Sequence, residues 1–457
     1  MKENSFTRIS LMILMTLSLV SFITGCKKEQ NPPNPGGSGN PTNPSNLSIS
    51  GIKPTSGAYN TAVTIKGTGF SSNMANDSVY FNGVAATLYS ASDSQLVALV
   101  QKYTGIGDVV VKVGEVEKKG PLFTYIYTAL ENLYAGVGNY DVFIGSSVDG
   151  PALKAGFFLP SGLVLDKTGN LFVYDLGNGE IREITPASST GGSMVSTLYT
   201  FGYAGGGVYA NRNELIAGLA YEDGTFYTGC TPWIVPFPTG TNGQWIPLPN
   251  KSAGGSETLF PVNSWAPEGV ASDAAGNIYA ASDNFIFINY KNGPVSWAGV
   301  GTGQKGSLDG IFSLNIQGQA IPSDEPSFNN PSGVAVDSLG NIYVADAGNN
   351  KIRKIDISNG AVSTFAGSGD QVDKDGTGTG ASFFIPEFIT IDGNGNLYVG
   401  DYNNGGESLR MITPAGVVST LCVGCLNVLG GIAVDYAGHN IYTTEYFRSV
   451  IDQISIY

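Results

Sequence analysis

Residues 330–367 constrain this chain more than any other stretch. They read NPSGVAVDSLGNIYVADAGNNKIRKIDISNGAVSTFAG. Four short runs, GVAVD, NIYVAD, KIRKID and AVSTFAG, are too short and too β-branched for helices. Ser338-Leu339-Gly340-Asn341, Ala347-Gly348-Asn349-Asn350 and Ser358-Asn359-Gly360 separate them with turn residues. The stretch predicts four strands, here a to d, in one antiparallel meander. The unit then recurs. Pro160 opens PSGLVLDKTGNLFVYD, Pro267 opens PEGVASDAAGNIYAAS, Pro386 opens PEFITIDGNGNLYVGD and Leu429 opens LGGIAVDYAGHNIYTTE. A degraded copy, IAGLAYEDGTFYTG, starts at Ile216. A four-stranded unit repeated at this spacing predicts a β-propeller, whose radial packing protects the sheet edges.

The pattern P-x-G-V-A-V-D-x-x-G-N-I-Y-V-A-D-x-x-N-N-K-I resembles the NHL repeat over roughly residues 130–457. The resemblance implies a propeller. It leaves function open, because such propellers serve both as binding platforms and as enzymes. Strand d ends in a marker, Trp297-Ala298-Gly299 or Phe365-Ala366-Gly367, and Tyr134-Ala135-Gly136 carries it before any complete repeat. The unit from Leu429 to Tyr457 has only three strands, so residues 133–137 are expected to supply its fourth. The expectation is six blades closed by an N-terminal strand. After each marker comes an Asp-Gly pair, Asp149-Gly150, Asp309-Gly310 or Asp375-Gly376, read as a turn linking repeats. An insertion is expected near Asn315–Glu325.

The rest of the chain divides by composition. Lys2 and Arg8 precede an apolar run from Leu11 to Ile23, of signal-peptide length. Ile23-Thr24-Gly25-Cys26 follows and resembles the bacterial lipobox, which implies that residues 1–25 are removed and Cys26 is lipidated. Acyl chains on Cys26 would anchor the chain to the bacterial envelope, with the outer membrane the expected location. Residues 26–47, rich in Pro, Gly and Asn, cannot form a core and are expected to be a disordered tether. Residues 48–127 show short alternating strands with regular turns, the pattern of a small β-sandwich. The string PTSG…TIKGTGF…VYFNG…PLFTY resembles the IPT/TIG immunoglobulin-like domain, which implies a spacer or a protein-binding module. Phe70 and Phe81 are expected in its core. The expected fold is thus all-β: a small immunoglobulin-like sandwich, then a six-bladed propeller over residues 128–457.

Charge narrows the partners. From Thr128 onward there are 30 acidic and 13 basic residues, a balance of −17, whereas residues 48–127 are nearly neutral. Nucleic acid is excluded, because it needs Lys and Arg against its phosphates. Cations, neutral glycans and basic protein surfaces remain.

Strand b ends in Gly229 in the degraded repeat and in a polar residue in the other five: Asp175, Ser282 followed by Asp283, Asp346, Asp401 and Glu445. Repeat symmetry would gather them on one face around an axis. They read either as an acidic rim for a ligand or for calcium, or as side-chain caps of the b–c turn, helped by Asn349 and Asn403. His439 is the single histidine, so neither a multi-His zinc site nor the usual general base is available. Cys422 and Cys425 could form a disulfide. Trp233 and Trp245 stand in an irregular Pro/Gly-rich region and read as an exposed aromatic loop able to stack on a sugar, or as buried residues. The expected function is a non-catalytic binding platform for a glycan or protein. The rival is a calcium-dependent lactonase-like or lyase-like enzyme working through carboxylates.

Overall fold

The computed structural model describes residues 46–456 except 103, 128, 138–146, 190, 201–218, 223–224, 231–232, 239–245, 248–268, 283, 291–297, 313–324, 404–405, 427–428 and 446–447; for 219–247 it describes backbone alone. Among these residues the chain is all-β, with four 3-10 turns of three residues each as its only helical segments. Cys26, the tether, Asp283, Trp245 and most of the expected insertion lie outside the described residues.

Residues 48–125 form two sheets. One orders Ser48–Lys53, Ala62–Thr68, Gln95–Leu99 and Thr87–Ala91; the other includes Asp77–Phe81, Ile106–Val113 and Val116–Tyr125. Alternation drives the packing. Val63, Ile65, Leu96, Ala98, Val109 and Val111 turn inward while their neighbours face out. Phe81 and Phe123 meet at the centre with ring centroids 4.9 Å apart. Phe70 joins the same core.

Six further sheets follow. In the best-matched repeat, Pro331–Val336, Ile342–Asp346, Lys351–Asp356 and Ala361–Ala366 form the expected meander in chain order. Meanders also start at Pro160, Leu219, Gly269 and Pro386. The last sheet takes three strands from the C-terminus and a fourth from Ala129–Ala135, which runs antiparallel to Val450–Ile456. The expected fourth strand, residues 133–137, is therefore longer and begins earlier. Each sheet is separate, and none closes on itself.

The repeat motif has a physical cause at each position. In D-x-x-x-N, Asp337 Oδ1 accepts from the Asn341 backbone N–H (2.9 Å) and Oδ2 from its side-chain amide (2.8 Å). Asp166, Asp273 and Asp392 bind Asn170, Asn277 and Asn396 in the same way. Where the residue two further on is a tyrosine it is buried, and in two repeats its hydroxyl donates closely to the same aspartate: Tyr279 to Asp273 at 2.8 Å, Tyr398 to Asp392 at 3.1 Å. One carboxylate thus caps the a–b turn and satisfies a core phenol. The glycine of P-x-G lets neighbouring sheets touch: a Cβ on Gly269 would stand 2.3 Å from the Ser332 carbonyl, and one on Gly431 2.4 Å from that of Ser161. Neighbouring sheets are also tied by hydroxyls. Ser332 Oγ donates to the Glu387 carbonyl (2.7 Å), and Thr444 Oγ1, in the last sheet, donates to that of Ser161 in the first (2.8 Å).

Candidate functional site

The aspartates that end strand b are held inside the protein. Asp175, Asp346 and Asp401 are each 0% exposed. Each accepts a backbone N–H from the approach to strand a: Phe158 at 2.7 Å, Asn329 at 2.8 Å, and both Phe384 and Ile385 for Asp401, at 3.0 and 2.9 Å. Each also faces a buried guanidinium from strand c. Arg182, Arg353 and Arg410 lie 3.1, 3.1 and 3.0 Å from their aspartates. The same guanidinium reaches outward to the aspartate of the Asp-Gly pair, Asp149, Asp309 or Asp375, at 2.8, 2.6 and 3.2 Å. Main-chain carbonyls of Gly156, Ser327 and Ser382 take a further N–H from each, and Phe157, Phe328 and Phe383 lie under the guanidinium planes. Burial pushes Asp175 up to about 6 and Asp346 upward too; burial and the adjacent Asp373 push Asp401 up to about 8, against the pull of Arg410.

This geometry places Asp175, Asp346 and Asp401 in the packing of their repeats, where they cap turns and pair with arginine, rather than on a solvent-facing rim. The amide help expected at the b–c turn is present for Asp175, from Asn178, and for Asp346, from Asn349, both at 2.8 Å. Asn403 departs from it. Its amide donates to Asp373 instead (2.9 Å), because strand b runs on to Asn403 there and carries the side chain past Asp401. The Asp-Gly pairs do more than turn the chain, since their carboxylates complete the arginine networks. Asp373 and Asp375 both reach Arg410. The arginines were the residues missed. Their signal was present as an Asp followed seven residues later by Arg in two repeats and nine later in the third.

The last sheet differs. Glu445 stands where three other repeats have the aspartate, and is 1% exposed. Arg353 is paired across strands with Val344, two residues before Asp346. In the last sheet the residue paired with Thr443, two before Glu445, is Asp452. The arginine position therefore carries a carboxylate. Glu131, Glu445 and Asp452 bring carboxylate oxygens within 4.8 Å of one another. Arg448 reaches Glu445 at 2.7 Å and Asp452 at 3.6 Å. Burial, with Glu445 and Glu131 beside it, pushes Asp452 up to about 7.

Two depressions are also present among the described residues. One, of about 410 Å³, is lined by Asn330, Ser332, Asn350, Gln371 and Glu387, between the sheets that start at Pro331 and Pro386. Asn330 and Asn350 hold left-handed backbone there, at φ 51° and 55°. The other, of about 440 Å³, lies between the sandwich and the repeats. Asn82 and Thr104 line one side, and Tyr398, Pro414 and His439 the other. His439 stands at the start of strand b, at the opposite end from Glu445. Trp233 opens the strand Trp233–Pro238 and pairs with Cys230 and Pro247, so its backbone lies in a sheet and not in the expected loop. Cys422 and Cys425 are joined in a disulfide.

Comparison with known proteins follows the division seen in the fold. The IPT/TIG domain model matches residues 47–127 and the NHL repeat model residues 328–355. The NHL repeat-containing protein 2 of Bos taurus is 43% identical over 129 residues, which is 27% of this chain and 16% of that protein. The chain thus spans under a fifth of the length of that curated relative. A Bacteroides thetaiotaomicron protein of unknown function, solved by crystallography, superposes with a TM-score of 0.50 at 18% identity, over 92% of this chain and 99% of that one. An auxiliary nutrient binding protein from the same organism gives a TM-score of 0.49 at 16% identity, over 91% and 99%.

Proposed function

We propose that this chain, which carries an IPT/TIG domain followed by NHL repeats, is a lipid-anchored binding protein of the bacterial envelope. Its six sheets of four or five strands would form one propeller, closed where Ala129–Ala135 pairs with the C-terminal strand. Cys26 would carry the lipid, the Pro- and Asn-rich segment after it would be the tether, and the outer membrane is the expected location. The ligand class is a glycan or a protein.

One observation carries the binding reading. Asp175, Asp346 and Asp401, the carboxylates that an enzyme of the lactonase or lyase kind would use on this face, are fully buried and committed to arginine. What remains accessible nearby is the depression lined by Asn330, Asn350, Gln371 and Glu387. Amides both donate and accept, which suits sugar hydroxyls or a peptide backbone. A glycan array probed with the full chain tests the proposal. A hit should lose at least about tenfold in affinity in Gln371→Ala, roughly the 1.4 kcal/mol of one to two hydrogen bonds, with the unfolding temperature unchanged. A hit that Gln371→Ala and Glu387→Gln leave untouched would remove this depression as the site.

A further inference from the structure

Three repeats neutralise their buried strand-b carboxylate with an arginine from strand c. The last sheet does the reverse. Asp452 occupies the arginine's register, opposite Thr443, and adds a negative charge where those three repeats add a positive one. Glu131 enters from the N-terminal strand, paired with Ile454 two residues beyond Asp452. The two-residue period therefore puts Glu131, Asp452, Thr443 and Glu445 on one face of the sheet. Three carboxylates against the single guanidinium of Arg448 leave a formal charge of −2 in a site where Glu445 and Asp452 are 1% and 2% exposed. Such charges are costly to bury without compensation.

An observation separate from the charge count points the same way. Thr443 is 0% exposed, and its hydroxyl has no hydrogen-bond partner. Asp452 Oδ2, across the strand from it, has no hydrogen bond either and only the Arg448 guanidinium at 3.6 Å. Buried oxygens of this kind are rare unless something absent from the polypeptide satisfies them. The donors are all hard oxygens, and carboxylate oxygens within 4.8 Å of one another can share a sphere of the radius calcium prefers.

We propose that Glu131, Glu445 and Asp452, with the Thr443 hydroxyl, form a site for a hard divalent cation of the calcium type. The cation supplies to the last sheet the positive charge that arginine supplies in three others. It bridges the N-terminal strand, through Glu131, to the C-terminal strands, through Glu445 and Asp452, and so clamps the two ends of the repeat region together. The inference stands apart from the proposed ligand site and does not depend on it.

The test uses the full chain, stripped with EDTA and titrated with calcium chloride. Calcium should raise the unfolding temperature in a saturable way, with half-saturation in about the 10⁻⁴–10⁻³ M range of extracellular sites. Glu131→Gln, at a surface position, should weaken calcium binding at least about tenfold, the loss of one carboxylate ligand. Asp452→Arg introduces the arginine found in three other repeats. It should fold, should be at least as stable in EDTA as the unaltered chain, and should show no response to calcium. Absence of any calcium response in the unaltered chain, or a response undiminished in both variants, would overturn the proposal.

Discussion

At the scale of single residues, the arginine of strand c is the most consequential side chain in the repeats. Arg353 is fully buried and donates to Asp346, Asp309 and the carbonyls of Ser327 and Leu308. Only a planar fork with several fixed donors can serve all four, which lysine cannot do. Arg353→Met should leave Asp346 buried without its counter-charge and cost about 3–5 kcal/mol, read as a lowered urea midpoint. Adding Asp346→Asn should return part of that loss, since the orphaned charge goes with it. If the double variant is no more stable than the single, the charge pair is not what holds this corner. The aspartates of this network could be read from the sequence, because they end strand b in repeat after repeat. Their partner could not. A lone Arg in KIRKID looks like one more solvated cation, and nothing local says that its side chain reaches the linker ahead of its own repeat.

At the scale of elements, the strand Ala129–Ala135 matters most. It covers the outer edge of Val450–Ile456, pairing from Ala129 with Ile456 to Ala135 with Ile451. Tyr134 packs edge-on against Tyr442, with ring centroids 4.9 Å apart. A fragment beginning at Gly138 would lose the strand and expose a row of unpaired N–H and C=O groups beside Ile451 and Ile454. It should melt at a lower temperature than the full chain and self-associate, as light scattering would show. A monomeric fragment with an undiminished melting temperature would mean that this pairing contributes nothing to the fold. The strand could be anticipated from one small signal, the Tyr134-Ala135-Gly136 marker placed ahead of the first full repeat. Its true start, six residues upstream of Ala135, could not, because ALENL has no turn before it and alternates too weakly to mark an end.

For the whole molecule, the proposed anchor is the feature most accessible to test. Cys26→Ala should leave a chain that is not labelled by radioactive palmitate and that no longer partitions with membranes. Continued labelling of that variant would rule out the lipobox reading. The acidity of residues 128–457 also takes on a different meaning at this scale. Many of the carboxylates cap turns or face arginines inside the repeats, so a net charge of −17 from Thr128 onward is a poorer guide to surface chemistry than it first suggests.

Local rules wrote the all-β class, the two parts, the meander and its turns into the sequence. Strand period, β-branching and the Asp–Asn turn each act over a few residues, and repetition printed them several times over. Whether a given carboxylate is a ligand, a cap or half of an ion pair depends on residues far along the chain. Asp346 meets Arg353 and, through it, Asp309; Asp452 meets Glu131 from the opposite end of the repeat region. Those meetings are settled by how sheets stack and where the chain ends join. Burial then decides the rest, because a carboxylate inside the protein must find a counter-charge, a proton or a cation, and only the tertiary structure shows which is within reach.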